Sequence, residues 1–291
     1  MQDATTIEEA RLPVSIVIPY FRNPALVIEA AESILKQEHA VDLLLVISDG
    51  DGGVPQSRLE GLDPRRVIVY RTRRNRGNYF VREVARRALG RGWIGFVDAD
   101  DYVEPMWVSA LLDSGKDHAG AAFCGARLVQ NDGVSETVVG QKKASLERVG
   151  GKKMIHFAYH TSIFFSERLE VIGGFDPSFR IGFDSLLINL IAATGPVGII
   201  DQPLYIRRVA GARSVAASLT TSMTTRKNSR ARRLATQRLR ALYAEYVPMF
   251  RDDPAAARAA LLQGRSSRLE RQVAAESNAL RGRLAQYRST P

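Results

Sequence analysis

Short apolar runs and amphipathic stripes alternate through the first hundred residues. Residues 14–19 form a β-branched run closed by Pro, the signature of a strand buried on both faces. Asn23 and Pro24 supply a candidate N-cap and first helical residue, and Leu26, Ala30, Ile34 and Leu35 then recur at helical spacing. A second apolar run, 43–47, closes in Ser48-Asp49-Gly50-Asp51-Gly52-Gly53. A third, 67–70, leads through a basic loop into a helix near 79–89, and a fourth, 93–97, ends abruptly in acid. Strand–helix alternation at this spacing predicts a doubly wound α/β sheet. Ligands of such sheets bind beyond the carboxyl ends of the strands, where the polar clusters after Val17, Ile47 and Val97 fall.

The pattern then loosens. Residues 121–129 and 136–140 read as hairpin strands around Asn131-Asp132-Gly133. Lys142, Lys143, Lys152 and Lys153 surround Gly150-Gly151 in a predicted loop, 163–165 is apolar again, and 185–193 reads as a helix after an acidic turn. Residues 214–229 are rich in Ser and Thr, as a linker is. Three helices follow. The second has Asp253 as cap, Pro254 at its first position and Gly264 past its end; the third opens on Ser267-Arg268-Leu269-Glu270, a capping-box pattern. Its stripe of Leu269, Val273, Leu280, Leu284 and Tyr287 is expected to pack on the parent domain rather than to dimerise, although an oligomer stays open.

Charge sharpens this division. The chain of 291 residues carries a formal +10, and from Arg207 to Pro291 there are 18 Lys plus Arg against 5 Asp plus Glu. The preceding 206 residues carry 23 against 26. The basic excess therefore sits wholly in the C-terminal third and suggests an anionic partner there, against the alternative of a merely solvated basic exterior. The single cysteine, Cys124, excludes an internal disulfide framework and suits a reducing compartment. No apolar run approaches the roughly 20 residues needed to cross a bilayer, and residues 1–11 lack the apolar core of a secretory signal. A cytoplasmic protein, with peripheral membrane attachment left open, is the expectation.

The sharpest chemical feature is Asp98-Ala99-Asp100-Asp101, directly after a buried strand. Three carboxylates this close repel one another unless a cation sits between them, and hard ions such as Mn²⁺ or Mg²⁺ bind such oxygens while keeping positions open for phosphate. The alternative is an acidic turn capping the segment near Pro105. The acids do not stand alone. The segment 13–20, then Ser33-Ile34-Leu35-Lys36-Gln37, then 43–50, Asn75-Arg76-Gly77 with Arg82, and 98–102 occur in a characteristic order. Ile172-Gly173-Gly174-Phe175-Asp176, Gly182-Phe183-Asp184 and Pro203-Leu204-Tyr205 with Arg207 continue it. Across roughly residues 13–214 the chain resembles the family 2 glycosyltransferases of the GT-A fold, each motif weak alone and the ordered set specific.

The resemblance implies a GT-A, Rossmann-like, mostly parallel mixed sheet flanked by helices. It divides the chain into a tail (1–12), a glycosyltransferase domain (13–213, donor half to about 105) and a basic helical region (214–291). It implies a metal-dependent, inverting transfer from a nucleotide-sugar, a UDP-sugar by preference, to a hydroxyl acceptor. Pro19 and Tyr20 would border the nucleotide, and Asp49 would hydrogen-bond the base, although Ser48 replaces the first of the family's two acids there. Arg76, Arg82, Arg207 and Arg208 would help hold the donor, with a surface helix cation as the alternative for Arg82. Asp98 would face ribose or metal, Asp100 would be the main metal ligand and Asp101 would support it. Asp184 is the candidate general base, with Asp176 as rival, and one carboxylate suffices because a nucleotide leaves without protonation. Phe183 and His160 are candidate acceptor contacts, Phe183 also a group that desolvates Asp184.

The acceptor is less legible. On the helix near 226–250, Arg226, Arg230, Arg233 and Arg240 share one side, while Leu239, Leu242, Tyr243, Tyr246 and Phe250 lie roughly opposite. Such a helix can meet anionic lipid, track a phosphate backbone or pack on its own domain. The acceptor is accordingly a cell-surface or lipid-linked glycan or a hydroxylated base in DNA. A non-catalytic nucleotide-sugar- or nucleic-acid-binding module on the same fold is the alternative, opposed by intact Asp98, Asp100 and Asp184.

Overall fold

The first strand, β1 (Val14–Tyr20), is buried along almost its whole length because it lies at the centre of a sheet covered on both faces. In the computed structural model, residues 12–50, 53–118, 120–130, 136–139, 162–180, 182–209 and 226–289 are described. On one side β1 pairs in parallel with β2 (Leu43–Ser48), which pairs in parallel with β3 (Val67–Arg71); on the other it pairs in parallel with β4 (Trp93–Phe96). Helices α1 (Pro24–Leu35) and α3 (Asn78–Leu89) make two of the crossovers, with the short α2 (Gln56–Glu60) before β3. This order, β3-β2-β1-β4, is the doubly wound half that the alternation predicts.

The other half is mixed. After β5 (Tyr102–Val103) and α4 (Trp107–Asp117), β6 (Ala121–Gln130) pairs antiparallel with β7 (Glu136–Val139) as the expected hairpin. The turn residues 131–135, the lysine-rich segment, His160 and residues 210–225 lie outside the described residues. β8 (Ser162–Phe165) is antiparallel to both β4 and β6 and joins the two halves. Helices α5 (Ser166–Val171) and α6 (Phe183–Ala193) precede β9 (Gly198–Val209), which pairs parallel to β6 and antiparallel to β5. The sheet order is thus β3-β2-β1-β4-β8-β6-β9-β5.

Alternate residues of the central strands feed two cores. Ile16, Ile18, Leu44 and Val46 pack with Val27 and Ile34 of α1 and Trp107 and Leu111 of α4. Val17, Leu45 and Ile47 face the other way, onto Phe80 and Val84 of α3 and Leu187 and Ile191 of α6. That second core continues into the C-terminal helices α7 (Arg226–Asp252), α8 (Pro254–Gln263) and α9 (Ser267–Arg288), through Tyr246, Phe250, Leu261, Val273, Leu280 and Leu284. The α9 stripe therefore packs on α3, as expected. Phe250 is 0% exposed, so Phe250→Ala should cost about 3–5 kcal/mol by urea denaturation, the usual range for a buried Phe. A loss under about 1 kcal/mol would mean that the helices are not part of that core.

Polar contacts lock the same interface. Glu276 of α9 accepts from the Tyr70 hydroxyl at 2.7 Å and from the Arg73 N–H at 3.0 Å. Glu83 of α3, fully buried, accepts from Arg86, Arg87 and the Phe175 N–H. Burial opposes its charge, but the arginines outweigh burial and hold the carboxyl below its ordinary range.

Helix ends show where the local reading needs correction. Asp253 caps α8 as expected, accepting from the N–H groups of Ala255 and Ala256. Asn23 sits at the start of α1 but in left-handed backbone (φ 112°) with no side-chain capping bond. The capping box also fails: the cap position of α9 is Ser266, and Glu270 is drawn instead into ion pairs with Arg87 and Arg265. A long-range cation competes better for that carboxylate than a backbone N–H already close to water.

Candidate active site

The carboxyl ends of β1, β2 and β4 meet the N-terminus of α3, and the site grows from that junction. Asp49, just past β2, is 5% exposed. Its two oxygens accept from the backbone N–H groups of Arg76 and Gly77, each at 2.7 Å. Burial raises its pKa and these two bonds only partly offset the rise. Asp49 first of all organises the loop entering α3, so a contact to a base has to use its remaining lone pairs. Gly77 adopts φ 100°, and a Cβ there would lie 2.9 Å from Cδ of Arg180, which also donates to Asn75 Oδ1. The Tyr20 ring is buried while its hydroxyl donates to the Gly53 carbonyl at 3.1 Å, and Pro19 is half-buried beside it. Directly beyond, Arg22 (φ 57°) and Asn23 hold positive φ, a strained turn of the kind that gathers at ligand sites.

A buried cation ties the next acids together. Arg82 of α3 is 2% exposed, which removes the reading of it as a surface helix cation. Its Nη2 donates to Asp98 Oδ1 at 2.7 Å, and its Nη1 lies 3.6 Å from Asp184 Oδ1. Its guanidinium stands 5.3 Å from the centre of the Phe96 ring. Burial disfavours the charge, yet Asp98 and Asp184 outweigh it and hold the guanidinium protonated. Asp184 lies in the first turn of α6, and its Oδ2 accepts a hydrogen bond from the Tyr79 hydroxyl. Asp98 thus stands across one arginine from Asp184.

The acidic turn after β4 divides its labour. Asp101 is 4% exposed and faces inward, accepting from the Tyr205 hydroxyl and from the Arg208 N–H, each at 2.9 Å. Burial, then the charges of Asp100 and Asp98, push its pKa well up. Both of its oxygens pin β9 to the turn, so a supporting metal-ligand role for Asp101 has to use its remaining lone pairs. Asp98 and Asp100 do fit a cation. Asp98 is two-fifths exposed, and Asp100 is half-buried with its pKa raised by burial and then by the charge of Asp98. A hard ion between them would relieve that repulsion. Among the described residues no three His, Cys, Asp or Glu side chains form a metal-holding group, and Mg²⁺ commonly takes phosphate and water beside one or two carboxylates. Arg207 and Arg208 both favour the charged form of Asp100, and Arg208 also donates to the Asp100 carbonyl, pairs with Glu29 and stacks 4.7 Å from the Tyr102 ring.

The remaining candidates separate by burial. Phe183 is 0% exposed, edge-on to Tyr79 at 5.6 Å and beside Phe179 at 5.3 Å, so it offers no exposed surface to an acceptor and its ring desolvates the start of α6. Asp176 is spent on Ser178 and on Arg238, which also covers Phe179 at 4.1 Å. Arg233 and Arg240 are exposed on α7, and the side chains of Arg226 and Arg230 lie outside those described. The apolar side of α7, with Leu239, Tyr246 and Phe250 buried, is covered by the domain and not presented to lipid. Leu239 bears on Gly182 itself, where a Cβ would lie 2.9 Å from Leu239 Cδ1. Sequence reading assigned no role to Tyr79 or Tyr205. Tyr205 belongs to the Pro203-Leu204-Tyr205 motif, and the position of Tyr79 two residues after Gly77 was the available signal.

Acids after β4, a loop-organising acid after β2 and a carboxylate at the start of α6 thus gather at one edge of an α/β sheet. Residues 15–188 match the sequence profile of Glycosyl transferase family 2, and the chain belongs to that family. Its fold is accordingly GT-A. Among solved structures it is similar to S. aureus TarS 1-349 in complex with UDP (17% identity, TM-score 0.56, covering 68% of this chain and 61% of that one). The same fragment in complex with UDP-GlcNAc matches at 15% identity and TM-score 0.56, covering 71% and 61%. A structure of TarS itself matches at 16% identity and TM-score 0.53, covering 68% of this chain and 37% of that one. The chain thus spans about three-fifths of the TarS fragment. No curated protein matches it. Among the described residues no helix is long and apolar enough to cross a membrane.

Proposed function

We propose that the chain transfers a sugar from a UDP-sugar to a hydroxyl acceptor with inversion at the anomeric carbon. The observation that carries this reading is Arg82, one buried cation gripping the donor-side acid Asp98 and facing the acceptor-side acid Asp184. The UDP and UDP-GlcNAc complexes of the TarS fragment, on the same fold, support a uridine nucleotide. A divalent cation at Asp98 and Asp100 would supply charge neutralisation to the diphosphate leaving group. Arg207 and Arg208 add fixed cations, Asp49 and Tyr20 hold the nucleotide-side loops, and Arg76 stands at the mouth of α3. Asp184 takes the proton of the acceptor hydroxyl as its oxygen bonds to the anomeric carbon, and the diphosphate departs with the electron pair of the broken bond. A panel of UDP-sugars, read by UDP release and by thermal shift with and without Mn²⁺, tests the reading. Stabilisation without turnover would leave the nucleotide-sugar-binding alternative, and neither with any donor would leave only the nucleic-acid-binding one.

The acceptor proposed is anionic, a membrane-associated glycan or modified DNA, supported by the exposed Arg233 and Arg240. Changing Arg226, Arg230, Arg233 and Arg240 to Gln should lower both acceptor affinity and its salt dependence while donor hydrolysis survives. Unchanged binding to duplex DNA and to anionic vesicles would return these arginines to plain surface.

A further inference from the structure

The first turn of α3 places Tyr79 directly against the carboxylate of Asp184. The tyrosine is 3% exposed, its ring packs on Phe183, and its hydroxyl donates to Asp184 Oδ2. A hydroxyl this deep would be left unsatisfied without a partner, so the bond is held firmly. Burial, then the negative charge of Asp184, pushes the Tyr79 phenol well above its ordinary pKa, and it remains an O–H donor through the working pH range. Among the described residues, the charged and titratable groups facing Asp184 include Tyr79 and Arg82, both from α3; Asp98 is reached through Arg82, and α7 brings the apolar Leu239 against Gly182. A carboxylate that must receive a proton at a set angle needs its plane fixed, and a neutral donor fixes it without adding charge.

Resting on the reading of Asp184 as base, we propose that Tyr79 is its positioning residue. The donated O–H fixes the plane of the Asp184 carboxylate for the approaching acceptor hydroxyl and favours its ionised form, because a hydrogen bond to the charged form stabilises that form. Tyr79 makes no bond to the sugar or the acceptor in this role.

Tyr79→Phe keeps the ring and its contact with Phe183 while removing the bond. With the UDP-sugar that the wild type turns over, kcat should fall by roughly 10–100-fold with donor KM within about two-fold. The acid limb of the kcat–pH profile should move up by about one pH unit, because Asp184 loses a donor that held it ionised. In an Asp184→Asn background the same change should have no further effect, since Tyr79 would act only through that carboxylate. Wild-type kcat and an unmoved acid limb in Tyr79→Phe, alongside an inactive Asp184→Asn, overturn the positioning role and leave the base intact. A fully active Asp184→Asn overturns the base reading itself. If Tyr79→Phe lowers both Tm and kcat, the double variant decides: multiplied losses mean a structural residue, and no added loss means a positioning one.

Discussion

Asp184→Asn is expected to slow sugar transfer by roughly 10²–10⁴-fold, the usual scale for a lost general base, while donor affinity stays nearly unchanged. The separation of effects follows from placement. Asp184 lies in the first turn of α6 beside Tyr79, whereas Asp98 and Asp100, proposed to hold the donor, belong to the turn after β4. The amide is nearly isosteric and still accepts from Tyr79 through its carbonyl, so the fold should persist; what is lost is the ability to take a proton. The measurement is single-turnover transfer together with UDP-sugar binding, and the product should show the opposite anomeric configuration to the donor. Asp176→Asn is the control. That acid is bonded to Ser178 and Arg238, so its loss should lower stability more than it slows chemistry. If instead Asp176→Asn binds donor normally and is inactive, the wrong carboxylate has been chosen.

Donor turnover should vanish in chelator and return with Mn²⁺ or Mg²⁺, and Asp100→Ala should abolish the metal-dependent part of UDP-sugar binding. Asp100, like Asp101, has burial and like-charged neighbours against it, the condition that a bound cation relieves, but it is half-buried where Asp101 is 4% exposed and turned inward. Asp101→Asn should behave differently. Its oxygens accept from Tyr205 and Arg208, so its replacement should loosen β9 and lower Tm, with the metal requirement retained. Isothermal titration of the nucleotide with and without Mn²⁺, beside thermal unfolding of both variants, separates the two. Full activity in chelator would remove the cation from the reaction.

The comparison of Asp100 with Asp101 shows how far a sequence reads. The four parallel strands, α1, α3 and the strand-end clusters were legible because buried parallel strands are written as β-branched runs and surface helices as apolar stripes. β5, α4 and the length of β9 were not, because a two-residue edge strand has no period and β9 carries Pro203 at an irregularity opposite Gly125. The ordered motifs also sufficed to place the chain in its family, since the acids after β4 and the carboxylate at Gly182-Phe183-Asp184 are local patterns.

What the sequence determined by itself was therefore the set of local choices: strand and helix periods, Asp253 as a cap, the acidic turn, and a basic C-terminal third. Only the tertiary structure decided which partners each acid takes. Asp49, Asp101 and Asp176 look like Asp98 and Asp184 in the chain, yet the first two pin backbone N–H groups, Asp176 meets Arg238, and Asp98 and Asp184 share Arg82. The same holds for α7, whose amphipathic pattern allowed a membrane face until Leu239, Tyr246 and Phe250 closed on the domain core. A side chain's type and period are local, but its desolvation and its hydrogen-bond partners depend on which distant backbone N–H or guanidinium the fold brings within about 3 Å.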